Sequence, residues 1–188
     1  MVDDPGFPLW SGDIGIRPFQ EHEAGEFAAA VLESIPDLAP FMPWAHPHYS
    51  LEEAQAWIDD TRGSFDASTK HEFAIVDTEN RLLGGVGINM RNDLHRTANL
   101  GYWVRSSASD RGVATTAARI AAIFGFKALS LQRLEIVVVV SNHASLRVAD
   151  KLGARREGVQ RNRLRIYDQS LDAVMYSLIP EDIGMVTE

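Results

Sequence analysis

The sequence has no cysteine, no long apolar run and no excess of basic residues. The absence of cysteine among 188 residues excludes disulfides, a cysteine nucleophile and thiolate metal sites, and it favours a reducing compartment, with the cytoplasm as the expected location. No apolar run reaches the ~18 residues of a membrane helix, and residues 1–5 lack the basic and then apolar order of a signal peptide. The net charge of −8 argues against a nucleic-acid partner, because phosphate contacts need a basic face.

The residues that are present are typical of a globular domain. Hydrophobic residues make up 45% of the chain and charged residues 23%, and a chain of 188 residues can bury a sizeable core. We expect a single domain over residues 13–182, an N-terminal lead at 1–12 and a C-terminal tail at 183–188. The acidic charge either attracts a cationic peptide or amine or only keeps the protein soluble. The sequence leaves a homodimer open.

The first half of the chain predicts a strand, two helices and a meander. Residues 13–19 alternate as a short strand, and residues 20–34 carry apolar side chains at helical spacing. The loop at 35–49 contains four prolines, which preclude a regular helix, and its large apolar side chains either pack over the core or line a pocket. A capping-box sequence at 50–53 starts a second helix. A hairpin and a strand at 97–104 then complete an antiparallel meander.

The second half predicts a helix between two parallel strands. Residues 131–140 end in a β-branched run, which is typical of a central strand covered on both faces. A polar cap at 141–142 starts a further helix that stops at Gly153, and two strands follow at about 154–165 and 170–179. The strand–helix–strand crossover makes the strands on either side of the central helix parallel neighbours. The predicted fold is a mixed α/β (α+β) domain whose central sheet has about seven strands, largely antiparallel with one parallel pair, flanked by about four helices.

A strand, a loop of small residues and an alanine-rich helix follow one another in residues 100–126. Main-chain N–H groups in the first turn of a helix lack intrahelical partners, and the helix dipole adds positive charge there, so this turn suits a phosphate or pyrophosphate. Gly112 lets the main chain approach a ligand closely. Asp110 either adds unfavourable charge or caps the helix, and Arg111 adds a compensating positive charge. The alternative is that the loop is only a connection.

Five segments in order resemble the GNAT acetyltransferase superfamily, and more closely its RimJ/RimL-type branch of ribosomal-protein N-terminal acetyltransferases. They are residues 100–104, 111–117, 142–153, 157–158 and 172–178, within a likeness that runs from about residue 16 to 182. The resemblance implies the GNAT fold and acetyl-coenzyme A as the acetyl donor. It implies transfer to a primary amine, foremost the N-terminal α-amino group of a protein or peptide, by direct attack in a ternary complex. Alternatives are a small amine, amino acid or antibiotic as acceptor, or a non-catalytic coenzyme-binding or interaction module.

The resemblance also implies a set of coenzyme-binding residues at the strand end and at two helix starts. Ser145 would face the coenzyme thiol and is the candidate for protonating the leaving thiolate, because the tyrosine that many superfamily members use there corresponds to Ala149. A second departure is Ser109, where the superfamily commonly has Gln or Arg. The alternative for Ser145 is an ordinary helix hydroxyl bonded to its own backbone. The implied coenzyme-binding residues are Val104, Arg105, Arg111, Gly112, Val113, Ala114, Thr115, Asn142 and Ser145.

Candidate acceptor residues come from the first helices, the proline-rich loop and the strand before the central helix. A primary ammonium must lose a proton before it can attack a thioester. Three carboxylates could take that proton, although each has the alternative of being a solvated or paired surface group. These three are Glu33, Glu72 and Glu135, and the expected acceptor-binding residues are Glu33, Met42, Trp44 and Tyr102.

Two further groups of residues receive mainly structural interpretations. His46 and His48 share a loop, but no third ligand stands at a useful spacing, so no metal is expected. Five arginines near the C-terminus fit exposed alternation on a two-stranded structure, and the alternative is that they hold the 3′-phosphate of the coenzyme. These arginines are Arg155, Arg156, Arg161, Arg163 and Arg165.

Overall fold

Within residues 6–185, which the computed structural model describes, eight strands form one sheet and five α-helices lie on it. The strands lie side by side in the order β1-β2-β3-β4-β5-β6-β8-β7, and every neighbouring pair is antiparallel except β5 and β6. In chain order they are β1 (Leu9–Ser11), β2 (Ile14–Pro18), β3 (His71–Asp77), β4 (Leu82–Asn92), β5 (Thr97–Val104), β6 (Arg133–Val139), β7 (Arg155–Ile166) and β8 (Gln169–Leu178).

The helices begin and end where local chemistry allows. Ser50 and Asn142 are the N-caps of the third and fifth helices, and each accepts the N–H of the residue three positions on. Gly153 adopts the left-handed conformation that ends the fifth helix. The helices are α1 (Ala24–Glu33), α2 (Ile35–Leu38), α3 (Leu51–Asp66), α4 (Val113–Lys127) and α5 (His143–Leu152), with short 3-10 turns at Glu21–Glu23, Ser106–Ala108 and Pro180–Ile183.

The predicted mixed α/β class is confirmed, and two details differ. The sheet has eight strands where about seven were expected, because residues of the predicted N-terminal lead form β1 and pair with β2. There are five α-helices where about four were expected, because α2 forms in the proline-rich loop. The prediction that prolines preclude a helix there is wrong, since Pro36 stands in the first turn, where a helix needs no N–H donor.

The two faces of the sheet carry separate cores because successive side chains of a strand point to opposite sides. On one face α4 and α5 pack against Phe73, Ile88 and Leu100. On the other face α1 and α3 pack against Val76 and Trp103. We refer to these two sides as the α4/α5 face and the α1/α3 face.

The parallel pairing of β5 and β6 that the sequence predicts is confirmed, but it is short. Thr97, Ala98 and Asn99 pair with Arg133, Leu134 and Glu135, and no pairing between these strands continues beyond. β5 stays with β4 as far as the pair Val104 and Gly84, while β6 stays with β8. The sheet therefore opens into a gap above the rung formed by Asn99 and Glu135.

The prediction that β6 is covered on both faces is wrong. β6 does lie inside the sheet, between β5 and β8. Leu134, Ile136 and Val138 are buried on the α4/α5 face, whereas Glu135 and Val137 on the other face are only half-buried. The reason is that α1 and α3 pack mainly on β3 and β4, and the α1/α3 face of β6 stays partly open.

Among residues 6–185, no helix is long and apolar enough to cross a membrane. Residues 1–5, where the sequence argued against a signal peptide, lie outside the described residues, as do residues 186–188 of the predicted tail. In the described part of that tail, Ile183 and Met185 pack against the α4/α5-face core.

An ion pair fixes the end of β5 against α1. Arg105 donates to Glu33 Oε2 from Nε at 3.1 Å and from Nη2 at 2.5 Å, and the Ser107 N–H donates to Glu33 Oε1 at 2.8 Å. These bonds, with that from Arg105 first, lower the pKa of Glu33 from 4.5 to about 2. The segment that leaves the sheet towards α4 is thereby held to the C-terminal end of α1.

Replacing this carboxylate should destabilise the fold in a pH-dependent way. Because the pKa of Glu33 in the folded chain lies below its ordinary value, its stabilising effect is complete above pH 4.5 and is lost as the pH falls towards 2. We expect Glu33→Gln to lower the free energy of unfolding at pH 7 by about 1 kcal/mol. Urea denaturation should show the difference from wild type shrinking below pH 4.5, and a constant difference would contradict the assignment.

Candidate active site

The gap between β5 and β6 continues as a cleft. Its walls are the two parted strands, the start of α5, the segment after α2 and one side chain of β7. The residues lining it are 100–102 of β5, 136–139 of β6, the N-cap Asn142, Ser145 of α5, Phe41, Met42 and Leu164. The main-chain N–H of Arg105 donates to Leu83 at 2.9 Å, and successive N–H groups of a strand point to opposite edges. The N–H groups of Tyr102 and Val104 therefore point towards the gap.

The start of α4 lies just beyond the end of β5 and is open. Gly112 is the N-cap with φ 77°, a left-handed conformation that favours glycine, and within the described part of the chain a Cβ there would meet no heavy atom within 4 Å beyond its chain neighbours. No side chain caps the helix, so the suggestion that Asp110 does so is wrong. Val113 is buried, Arg111 is exposed, and Ala114 and Thr115 are partly exposed. The start of α4 is therefore partly exposed, with first-turn N–H groups that no side chain caps.

Tyr102 and Ser145 form a hydroxyl pair at the cleft. Ser145 Oγ donates to Tyr102 Oη at 3.2 Å, and Tyr102 Oη donates to the Ser145 carbonyl oxygen at 3.2 Å. Asn142 Oδ1 accepts the Ser145 N–H at 3.1 Å, which fixes the first turn of α5. Burial raises the pKa of Tyr102 to about 12, so its phenol stays protonated at neutral pH. Ala149, where the superfamily tyrosine is missing, is buried in the core.

The expected acceptor residues do not all meet at the cleft. Met42 and Tyr102 line it, whereas Glu33 is bonded to Arg105 and Ser107. Trp44 is 41% exposed and lies edge-on to Trp103, with ring centroids 5.9 Å apart. The proline-rich loop thus does both things that the sequence allows: Met42 lines a pocket, and Trp44 packs against Trp103 of the core.

The three candidate carboxylates differ in their partners. Glu33, with a pKa of about 2, is a weak base. Glu135 is paired with Arg133, at 3.1 Å from its Nε, and Arg133 also holds Glu157. Glu72 accepts a hydrogen bond from Asn89 Nδ2 at 2.9 Å, and its pKa is raised by burial, an effect that Asn89 and then Lys70 partly oppose. Burial therefore makes Glu72 a stronger base than a free glutamate, whereas Glu33 is a weaker one.

Sequence reasoning missed several residues of the cleft. Leu164 gave no signal of its own, because only the fold brings β7 to the cleft, and Phe41 was covered only by the general expectation for the apolar side chains of the 35–49 loop. Tyr167 Oη donates to the Ala39 carbonyl oxygen at 2.9 Å and ties the β7–β8 hairpin to the end of α2. Gly101 did carry a signal, because a glycine inside a strand often marks a close approach of a ligand or another backbone.

The histidines and arginines singled out in the sequence lie elsewhere. His46 Nε2 is 2.9 Å from Glu53 Oε1, and within the described residues no three His, Cys, Asp or Glu side chains gather as a metal site would require. The five arginines of β7 are exposed, in keeping with the structural interpretation.

Comparison with known proteins gives one consistent family. A model described as an acetyltransferase (GNAT) domain matches residues 13–155. A Bacillus subtilis protein with the provisional name ribosomal N-acetyltransferase YdaF is 25% identical over 170 residues, or 90% of this chain and 92% of that protein. The uncharacterised N-acetyltransferase YoaA of Bacillus subtilis is 32% identical over 131 residues, or 69% and 74%. Spermidine N(1)-acetyltransferase of Escherichia coli is 28% identical over 100 residues, or 53% and 54%.

Solved structures that resemble this chain are also acetyltransferases. A Vibrio cholerae protein provisionally described as a ribosomal-protein-serine acetyltransferase is 28% identical, with a TM-score of 0.82 over 94% of this chain and 99% of that one. Mycobacterium smegmatis RimJ, solved with CoA-disulfide, is 24% identical with a TM-score of 0.82 over 92% and 84%, and it shares the fold. The chain therefore belongs to the GNAT acetyltransferase family, in its RimJ/RimL-type branch, and it is an N-acetyltransferase that uses acetyl-coenzyme A.

Proposed function

We propose that the chain acetylates the N-terminal α-amino group of a protein or peptide by direct attack on acetyl-coenzyme A. The observation that carries this proposal is the parting of β5 and β6, because it opens a passage through the sheet. An open helix start adjoins one side of that passage, and carboxylates lie on the other. The name of YdaF, a relative that matches over 90% of this chain, supports a ribosomal-protein acceptor. We place the reaction in the cytoplasm, which the cysteine-free sequence favours.

The start of α4 is proposed to hold the pyrophosphate of the coenzyme. The N–H groups of Val113, Ala114 and Thr115 point out of the first turn, and Gly112 leaves the space beside them open. Arg111, exposed and without a partner among residues 6–185, adds positive charge.

The strand end and the start of α5 are proposed to hold the pantetheine arm. The Val104 N–H points to the gap, and the register shift between β4 and β5 lies away from it, at Asn89/Asn92. Asn142 lines the same cleft. The Arg105 side chain is already bonded to Glu33, so we assign its contribution to the main chain.

Tyr102 and Ser145 are proposed to supply the proton that the leaving sulfur needs. As the amine nitrogen bonds to the acetyl carbon, the carbon–sulfur bond breaks and the thiolate takes a proton from this hydroxyl pair. Burial raises the pKa of Tyr102 to about 12, so its phenol is protonated at neutral pH and is a weaker acid than a free tyrosine. A positioned acid of this kind is worth roughly 10²–10⁴-fold in rate.

A small polyamine is the second candidate acceptor, because spermidine N(1)-acetyltransferase is 28% identical over about half of this chain. A panel of acceptors, followed by thiol release and mass spectrometry, separates the candidates. We expect acetylation of peptides with a free N-terminus and none of matched peptides whose N-terminus is formylated. Preference for spermidine would favour the polyamine, and coenzyme binding with no acetylated acceptor would favour a non-catalytic module.

Charge at the α4 start should control coenzyme binding. Asp and Asn have similar size and both tolerate the left-handed conformation of Gly112, but only Asp places a negative charge beside the phosphates. We expect Gly112→Asp to weaken coenzyme A binding by at least about tenfold more than Gly112→Asn does, an electrostatic cost of about 1.4 kcal/mol. Titration calorimetry measures both, and equal affinities would remove the phosphates from this turn.

Removing either hydroxyl of the pair should slow turnover and spare coenzyme binding. Tyr102→Phe and Ser145→Ala each delete one oxygen, and we expect kcat to fall by about 10–100-fold because the thiolate loses its proton donor. The double variant should lose little more than either single one, since both changes break the same pair. Steady-state kinetics and the coenzyme Kd are the measurements. Unchanged kcat in both single variants would exclude the pair from the reaction.

A further inference from the structure

Glu72 belongs to a row of register partners on three neighbouring strands, and the other two members of the row are glycines. Its register partner on β4 is Gly87, whose partner on β5 is Gly101. A Cβ on Gly87 would stand 1.7 Å from Glu72 Oε2 and 2.3 Å from its Cδ. The carboxyl group of Glu72 therefore occupies the space that a side chain at residue 87 would need.

The next place in the row opens on the cleft. Gly101 lines the cleft, and apart from its chain neighbours the one atom of residues 6–185 that a Cβ there would meet within 4 Å is Asn99 Nδ2, at 3.7 Å. Neighbouring strands lie about 4.8 Å apart, so a carboxyl over Gly87 is about one strand spacing from Gly101. Along this row, no side chain from β4 or β5 separates the Glu72 carboxyl from the gap.

This row lies on the face opposite the hydroxyl pair. Gly101 is two residues from Trp103, which packs in the α1/α3-face core, so Gly101 and its partners belong to that face. Tyr102 packs against the α4/α5-face core and meets Ser145 of α5 there. A group at the Glu72 carboxyl and a group at the hydroxyl pair would thus reach the gap from opposite sides.

The charge of Glu72 is not neutralised by a bonded cation. Within residues 6–185 its hydrogen bond comes from the neutral amide of Asn89, which in turn accepts from Asn99 Nδ2 at 3.0 Å. The ammonium of Lys70 is bonded to Asp60. Glu33 and Glu135, by contrast, are each paired with an arginine. Of the three candidate carboxylates, Glu72 is therefore the one that can bind a cationic ligand without displacing an arginine.

We propose that Glu72 binds the primary ammonium group of the acceptor across Gly101 and takes its first proton. This inference rests on the proposed acetyl transfer and deepens it. Two protons leave the nitrogen: one passes to Glu72 and then to solvent, which yields the neutral amine. The second passes to solvent as the carbon–nitrogen bond forms and the carbon–sulfur bond breaks, and the hydroxyl pair, which gives one proton to sulfur, takes one back from solvent. The acceptor is therefore a primary amine that arrives as a cation from the α1/α3 face.

Two variants test this role by different routes. Glu72→Gln keeps the size of the side chain and the oxygen that accepts from Asn89, and removes the charge. We expect kcat/KM for the acceptor to fall by about 100-fold or more, with the Kd of coenzyme A within about twofold of wild type. Gly101→Ala leaves Glu72 in place and inserts a methyl group between it and the gap. We expect a fall of about tenfold in acceptor kcat/KM, mainly through KM, and no loss of folding.

Kinetics at saturating acetyl-coenzyme A, with a peptide or spermidine varied, gives the readout, and thermal unfolding checks each fold. Glu52→Gln, an exposed carboxylate in the first turn of α3, is the control and should match wild type. If Glu72→Gln keeps the wild-type acceptor kcat/KM, or if Gly101→Ala has no effect, the inference is overturned while acetyl transfer stands. If wild type acetylates no amine at all, the proposed function itself fails.

Discussion

The structure depends on the fact that β5 and β6 follow different partners after their third parallel pair. β5 is held to β4, and Arg105 extends that contact through the main-chain oxygens of Leu82 and Leu83. β6 stays paired with β8 as far as the pair Val139 and Ala173. Main-chain groups that lose ladder partners inside a sheet cost free energy unless water or a ligand bonds to them. Contacts outside the gap therefore keep it open, and its free strand edges can bind an extended ligand.

The gap also divides the chemistry between the two faces. The α4/α5 face offers a helix start without a capping side chain and a pair of protonated hydroxyls, which suit an anion and a leaving thiolate. The α1/α3 face offers carboxylates and amides, which suit a cationic amine. If both sets lay on one face, the carboxylate of Glu72, which no arginine pairs with, would repel the phosphates and raise the free energy of binding them. Separation by a sheet lets opposite charges be recognised close together.

Local patterns in the sequence predicted the parts of the site that are made by consecutive residues. Gly112 before α4, the cap Asn142 and the crossover from β5 to β6 follow from chemistry within a few positions. The partners of Glu33, Tyr102 and Glu72 could not be predicted in this way. Arg105 lies 72 residues from Glu33, and Ser145 lies 43 residues from Tyr102. Glu135 has its arginine, Arg133, two residues away, but nothing local to Glu33 or Glu72 distinguishes a paired carboxylate from a buried one.

Gly87 and Gly101, the two glycines in the row with Glu72, differ in whether packing requires a glycine. A glycine in a strand is less stable than an alanine by roughly 0.5–1 kcal/mol, and it has no side chain to pack. At Gly87 a Cβ would force the carboxyl of Glu72 to move, because that carboxyl fills the position of the Cβ. At Gly101 a methyl group would fit in ordinary van der Waals contact, so packing does not require a glycine. A residue that costs stability without a steric reason, at the edge of the cleft, is expected where open space itself serves the reaction.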